Sequence, residues 1–96
     1  MKAILIICTP ALEGTIMDSL KKSGASNYTK LPYLLGEGGH SEPHLDNHVW
    51  PGANVGILVV TDEDKIKKIS AEVKQIKADH IKEGVKAFVL PVEEII

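Results

Sequence analysis

The chain has 96 residues and a formal net charge of −2, which suits one domain with a hydrophobic core. All eleven basic residues are lysine. Because no arginine is present to make bidentate contacts with phosphate or guanine, nucleic acid is not an expected partner. The first apolar run ends at Thr9 and Pro10 and is too short for a signal peptide or a membrane span. We therefore expect a cytoplasmic protein that does not insert into a membrane.

The first predicted strand leads directly into a helix. Residues 3–8 form a continuous apolar run rich in β-branched side chains, which is typical of a buried strand. Thr9 suits the N-cap of a helix, and Pro10 suits its first position. The following apolar residues recur at helical spacing, and Gly24 marks the expected end. They are Leu12, Ile16 and Leu20.

The middle of the chain predicts a strand and a long loop. Residues 26–35 are predicted to form the second strand, in which Pro32 indicates an edge position or a bulge. Residues 36–54 are rich in glycine and proline, which predicts a loop.

A strand, a helix and a strand are predicted for the rest of the chain. Residues 55–60 are apolar, and Thr61 and Asp64 resemble a capping box before the helix. This helix is expected to end near Gly84, with the last strand starting at Lys86. Its apolar stripe consists of Ile66, Ile69, Val73 and Ile76.

The predicted order βαββαβ indicates a single α+β domain over residues 1–96 with a ferredoxin-like sandwich fold. Such a fold has a four-stranded antiparallel sheet with two helices on one face. The first, third and fourth strands are apolar at almost every position, so the sheet face without helices would also be apolar. A large exposed apolar face is typical of an interface. We therefore expect an oligomer in which these sheet faces point inward.

Three segments resemble the PII signal-transduction proteins. Residues 86–94 (KAFVLPVEE) are similar to the last strand of that family, K-x-F-V-L-P-V-E-E. Residues 36–42 (GEGGHSE) are similar to its loop segment G-x-G…G-H-T-E, and residues 59–62 (VVTD) stand where the family leaves its third strand. The trimeric CutA-type divalent-cation tolerance proteins share the architecture, but the local motifs are closer to PII. The resemblance implies a PII-like homotrimer.

The resemblance also implies an effector site between subunits, where PII proteins hold ATP or ADP. Thr29 would face an adenine, Gly36 and Gly38 would lie at the base of the loop, and Gly84 and Lys86 would lie near phosphate. The T-G-x-x-G-D-G-K phosphate loop of the family is reduced here to residues 83–86, and the arginines that follow the last strand in the family are absent. ATP, ADP, AMP and other small anions therefore remain open as effectors. Alternatively, the glycines are only turn residues and Lys86 is a solvated lysine.

Histidines in the loop suggest a second kind of site. His40, His44 and His48 recur every four residues, together with Glu42 and Asp46. Imidazole and carboxylate groups suit Zn, Cu or Ni, all of them transition metals. The prolines and glycines of the loop disfavour the helix that would align three imidazoles, so a polar surface loop is the alternative interpretation.

No nucleophile elbow, Walker loop or metalloprotease signature is present, so an enzyme is not expected. Cys8 is expected to be a small buried hydrophobe, and His80 a half-buried histidine at a helix end. Two functions remain open. The first is a regulatory protein that binds a small effector between subunits and reports it through loop 36–54 to a transporter or an enzyme. The second is a transition-metal sensor or buffer that uses the loop histidines.

Overall fold

A computed structural model describes residues 1–36 and 52–96 of the chain. In these two ranges the elements follow the predicted βαββαβ order, with one additional short 3-10 helix over Pro10–Leu12. They are β1 (Lys2–Cys8), α1 (Glu13–Lys22), β2 (Thr29–Gly36), β3 (Gly52–Thr61), α2 (Glu63–Asp79) and β4 (Val85–Pro91).

The four strands form one antiparallel sheet in the order β2-β3-β1-β4. The central strand β1 pairs with β3 on one side and β4 on the other, so that Cys8 lies between Val55 and Val85. The outer strands are β2 and β4. This topology confirms the predicted ferredoxin-like sandwich.

The helices cover one face of the sheet and form the core with it. Alternate residues of β1 and β3 pack there against the apolar stripes of α1 and α2. Burying one such aliphatic side chain contributes about 1.5–3 kcal/mol, so this layer holds the helices on the sheet. The core includes Ile4, Ile6, Cys8, Leu12, Ile16, Leu20, Val55, Ile57, Val59, Ile66, Ile69, Val73 and Ile76. The predicted stripe of α2 is therefore confirmed.

The opposite face of the sheet, which we call the open face, is apolar, and neither of the helices in residues 1–36 and 52–96 packs on it. Successive strand residues point to opposite faces, and the register places the other alternate residues of the strands on this face. Two of them on β4, Phe88 and Leu90, are 45% and 47% exposed. The apolar members of the open face include Leu5, Ile7, Leu58, Val60, Phe88 and Leu90.

The two helix starts differ from the predictions. The predicted pair of Thr61 and Asp64 is wrong, because Thr61 still belongs to β3 and Asp62 is the N-cap of α2. The Asp62 carboxylate accepts a hydrogen bond from the Lys65 backbone N–H at 2.9 Å, and this bond lowers the pKa of Asp62. Thr9 takes the N-cap position of the 3-10 helix, but its side chain makes no capping hydrogen bond.

The hairpin of β2 and β3 differs from the prediction at both ends. β2 begins at Thr29 rather than at residue 26, and its register shifts between Leu31 and Leu34. This shift around Pro32 confirms the predicted edge or bulge. β3 begins at Gly52 and pairs there with Gly36, so residues predicted as loop at both ends of 36–54 belong to strands. Cross-strand pairing has overridden the turn-like composition of these residues.

Candidate functional site

Some of the predicted anion-binding residues lie toward one end of the sheet, namely Gly36, Gly84 and Lys86. Gly36 and Gly52 form the last pair of the β2–β3 ladder, next to the segment that joins these strands. The end of β1 at Cys8 and the start of β4 at Val85 lie at this same end, because Cys8 pairs with Val85 on one side and with Val55 near the start of β3 on the other. Gly36, on β2, and Gly84, just before β4, therefore lie at the same end of the sheet but at its opposite edges.

Thr9, Gly84 and Lys86 are neighbours at the corner of this end, which we call the Thr9 corner. Lys86 is exposed on the open face and pairs with Ile7. The Thr9 N–H donates a hydrogen bond to the Gly84 C=O at 3.1 Å, so these two residues extend the β1–β4 ladder by one pair. Lys86 is thus a diagonal neighbour of Thr9, a placement that separates Cα atoms by about 7–8 Å and that a long side chain spans.

Thr29 lies far from this corner within one chain. It is the exposed first residue of β2, and it pairs with Leu58 on the open face. Between β2 and β4 lie β3 and β1, so three strand spacings of about 4.8 Å separate Thr29 from Lys86 across the sheet. Within one copy of the chain, the residue predicted to face adenine and the residue predicted to reach phosphate therefore lie on the same face of the sheet but on its two opposite edge strands.

Two grooves in the described part of the chain contain none of the predicted site residues. One of about 280 Å³ lies between α2 and β4 and is lined in part by Lys67 and Val89. The other, of about 350 Å³, lies beside the end of α1 and is lined in part by Met17 and Tyr28. Neither groove is lined by Thr9, Gly84 or Lys86.

Cys8 lies beside the Thr9 corner but is not suited to nucleophilic chemistry. Burial, and to a lesser degree the negative charge of Glu13, raises the pKa of the Cys8 thiol to about 11. Glu13 itself pairs with Lys30, with 2.6 Å between carboxylate oxygen and Nζ. The thiol therefore stays protonated near neutral pH, and the prediction of a small buried hydrophobe is confirmed.

The predicted metal ligands His40, His44 and His48, and the predicted loop residue Gly38, lie outside the described residues. Within residues 1–36 and 52–96, no group of three or more His, Cys, Asp or Glu side chains is placed to hold a metal ion. His80 is the C-cap of α2 and half-buried, as predicted, and its Nδ1 lies 3.0 Å from a Glu83 carboxylate oxygen. None of the described helices is long and apolar enough to cross a membrane.

A comparison with protein-family models identifies the family. The model described as nitrogen regulatory protein P-II matches residues 1–96. The chain belongs to the P-II family. This confirms the resemblance carried by residues 86–94 and by the loop entry. No curated protein matches this P-II chain.

Solved structures share the fold of this P-II chain. A protein of Thermus thermophilus described as PII-like and signalling has a TM-score of 0.68 and 24% identity, over 92% of this chain and 82% of that one. CPII of Thiomonas intermedia, described as bound to ADP and bicarbonate, has a TM-score of 0.68 and 22% identity, over 97% and 88% of the two chains. A second CPII structure, described with ADP, AMP and bicarbonate, has a TM-score of 0.67 and 23% identity, with the same shares covered. At these identities the likeness establishes the fold.

The predicted site does not include Thr9, although Thr9 lies beside two of its members. A threonine before a proline at a helix start is typical of an N-cap, and the sequence motif therefore predicts no other role for Thr9. Strand alternation is the sequence feature that could have placed Thr9 at the site. Thr9 follows Ile7 by two residues, and Ile7 pairs with Lys86, so continuing the β1–β4 register places Thr9 opposite Gly84.

Proposed function

We propose that this P-II chain is a cytoplasmic regulatory protein that binds a small anionic effector between two copies of itself. The effector is an adenine nucleotide with one or two phosphates, and segment 36–54 reports its presence to a partner such as a transporter or an enzyme. One observation carries the proposal. Thr29 and Lys86 share the open face but lie on opposite edge strands, so a nucleotide that contacts both is best held by Thr29 of one copy and Lys86 of another.

The open face supports assembly into a homotrimer, the arrangement that the family resemblance implies. Exposed Phe88 and Leu90 extend an apolar surface that begins on β1 and β3. Packing such faces around a three-fold axis removes them from water and brings one edge strand of each copy toward its neighbour. Closed symmetry also gives three equivalent effector sites.

The short turn beside Lys86 favours an effector with a short phosphate chain. Lys86 supplies a cation at the Thr9 corner, and the turn before β4, residues 81–84, is short and has few backbone N–H groups for phosphate oxygens. Fewer donors suit a ligand with less negative charge. CPII, which has the same fold, is described as bound to ADP, AMP and bicarbonate, and this supports effectors of this class.

Calorimetric titration of metal-stripped protein with ATP, ADP, AMP and bicarbonate tests the proposal. We expect ADP or AMP to bind, and Lys86→Met to weaken binding by about tenfold or more, because a hydrogen bond to a charged group contributes about 1.5–3 kcal/mol. Lys82→Met is the matched control, since Lys82 is an exposed lysine in the turn before β4. Equal affinity of wild type and Lys86→Met would remove the phosphate role of Lys86.

Transition-metal binding by the loop histidines stays a prediction from the sequence. Titration with Zn, Cu and Ni ions, compared between wild type and a variant with His40, His44 and His48 all replaced by Ala, tests it. His80→Ala is the control, because His80 lies at the end of α2 beside Glu83. Metal binding that persists in the triple variant ends this alternative.

A further inference from the structure

The hydroxyl of Thr9 is a buried polar group without a partner. Its Oγ1 atom has no hydrogen-bond partner and almost no exposed surface, in the part of the chain that the structure describes. Thr9 stands at the N-cap position, yet its side chain caps nothing. Because the great majority of buried side-chain polar atoms have a partner, an exception of this kind requires an explanation.

The backbone around Thr9 is fully engaged, which leaves the hydroxyl as its one spare polar group. The Thr9 N–H donates to the Gly84 C=O at 3.1 Å, and the Thr9 C=O accepts from the Leu12 N–H at 3.0 Å. These two bonds hold the residue at the end of β1. The side chain retains rotation about χ1, and threonine rotamers are separated by about 120°.

Gly84 leaves room for a ligand next to this hydroxyl. A Cβ atom at position 84 would lie 3.6 Å from Cγ2 of Thr9, so the methyl group now borders the space that glycine leaves empty. A rotation of about 120° around χ1 moves Oγ1 to the position that the methyl group now takes, next to that space, and moves the methyl group to the position of the Cβ hydrogen. Lys86, the diagonal neighbour of Thr9, borders the same space on the open face.

We infer that Thr9 is a ligand-contacting residue whose hydroxyl donates a hydrogen bond to an anionic oxygen of the effector, above Gly84 and beside the Lys86 ammonium group. The oxygen belongs to a phosphate or a carboxylate-like group. The inference rests on the proposed function, and it assigns a donor to the same site. Lys86 supplies charge, whereas Thr9 supplies a directed donor.

Replacement of Thr9 by Val and by Ser separates this role from a structural one. Thr9→Val keeps the side-chain shape and removes the hydroxyl. Without ligand, we expect Thr9→Val to melt no lower than wild type, because no hydrogen bond within the protein is lost. Its ADP affinity falls by about tenfold or more, the loss typical of a hydrogen bond to a charged group. Thr9→Ser retains the hydroxyl and keeps ADP affinity within a few-fold of wild type.

Two results with Thr9→Val overturn the inference while the proposed function stands. One is unchanged ADP affinity of Thr9→Val; the other is a lower melting temperature of ligand-free Thr9→Val, which would show that the hydroxyl has a partner within the protein. Gly84→Ala tests the same ligand position independently of Thr9. Position 84 does not have a positive φ, and an added Cβ would make only an ordinary van der Waals contact, so the folded chain tolerates alanine there. We expect this variant to melt like wild type and to bind ADP more weakly, and wild-type ADP affinity in it also contradicts the inference. If wild type binds none of ATP, ADP, AMP and bicarbonate, the proposed function fails and the role of Thr9 fails with it.

Discussion

Thr29 and Lys86 lie on the same face of the sheet but on its two opposite edge strands. Thr29 pairs with Leu58 at the start of β2, and Lys86 pairs with Ile7 near the start of β4. The two apolar strands between them carry no polar group that is predicted to bind an effector. Under the proposed function, a nucleotide that contacts both residues is best held between two copies of the chain, and the proposal therefore links ligand binding to assembly.

A charge on the open face is expected to prevent the proposed assembly into a trimer. Phe88 and Val89 are adjacent on β4 and are 45% and 46% exposed, but strand alternation places only Phe88 on the open face. We expect Phe88→Lys to sediment as a monomer, because burying an unpaired ammonium group in an apolar interface is strongly unfavourable. Analytical ultracentrifugation measures this directly. Val89→Lys is the control and is expected to keep the assembly of wild type; equal behaviour of the two variants would show that the open face is not the interface.

An added methyl group at position 56 is expected to destabilise the sheet. A Cβ atom there would lie 2.7 Å from Cδ1 of Leu34 and 3.1 Å from Cδ1 of Leu31. Overpacking costs about 1–3 kcal/mol, and replacement of glycine offsets about 0.4–1 kcal/mol through the unfolded chain. We therefore expect Gly56→Ala to lower the free energy of unfolding by about 1 kcal/mol in urea denaturation.

Gly14→Ala is the matched control for this prediction. Gly14 lies in α1, and nothing is within 4 Å of the position that its Cβ would take. Alanine in a helix is more favourable than glycine by about 0.5–1 kcal/mol, so this variant is expected to be more stable than wild type. A Gly56→Ala protein that gains stability in the same way would show that Leu31 and Leu34 move aside without cost.

Cys8 is expected to make stability fall in alkaline solution. Burial raises the pKa of its thiol from 9.0 to about 11, so the unfolded chain loses this proton at a lower pH than the folded chain. Below the unfolded pKa both states hold the proton and the contribution to stability is complete; it is lost as the pH rises toward the folded pKa. We expect the difference in unfolding free energy between wild type and Cys8→Ala to decrease between about pH 8 and about pH 10.5. A difference that stays constant over this range contradicts the assigned environment of the thiol.

Much of the fold could be predicted from residues with a strong periodic pattern. The stripe from Ile66 to Ile76 and the apolar run of β1 predict their elements because burial fixes which residues face the core. The boundaries are less predictable. Thr61 is suited to a cap by its chemistry, but pairing with Lys2 keeps it in β3, and Asp62 caps α2 instead.

The site could be predicted only in part, because its geometry depends on register. The family resemblance predicts which residues belong to the candidate site, but it carries no information about distances within this chain. These residues include Thr29, Gly84 and Lys86. Their separation depends on the strand order, and their common face depends on which residues pair. The role inferred for Thr9 depends on its hydrogen bond to Gly84, a contact between two segments far apart in sequence.

Binding of ADP to mixed oligomers tests the central claim most directly. Thr29→Val chains and Lys86→Met chains are co-expressed with different tags, and oligomers that carry both tags are purified and titrated. If each site takes Thr29 from one copy and Lys86 from another, a closed trimer that contains both variants regains wild-type affinity at about a third of its sites. A trimer made of either variant alone has no site of wild-type affinity. Our account predicts this tight fraction in the mixed sample, and a mixed sample that binds no better than the two separate variants would contradict a site between copies.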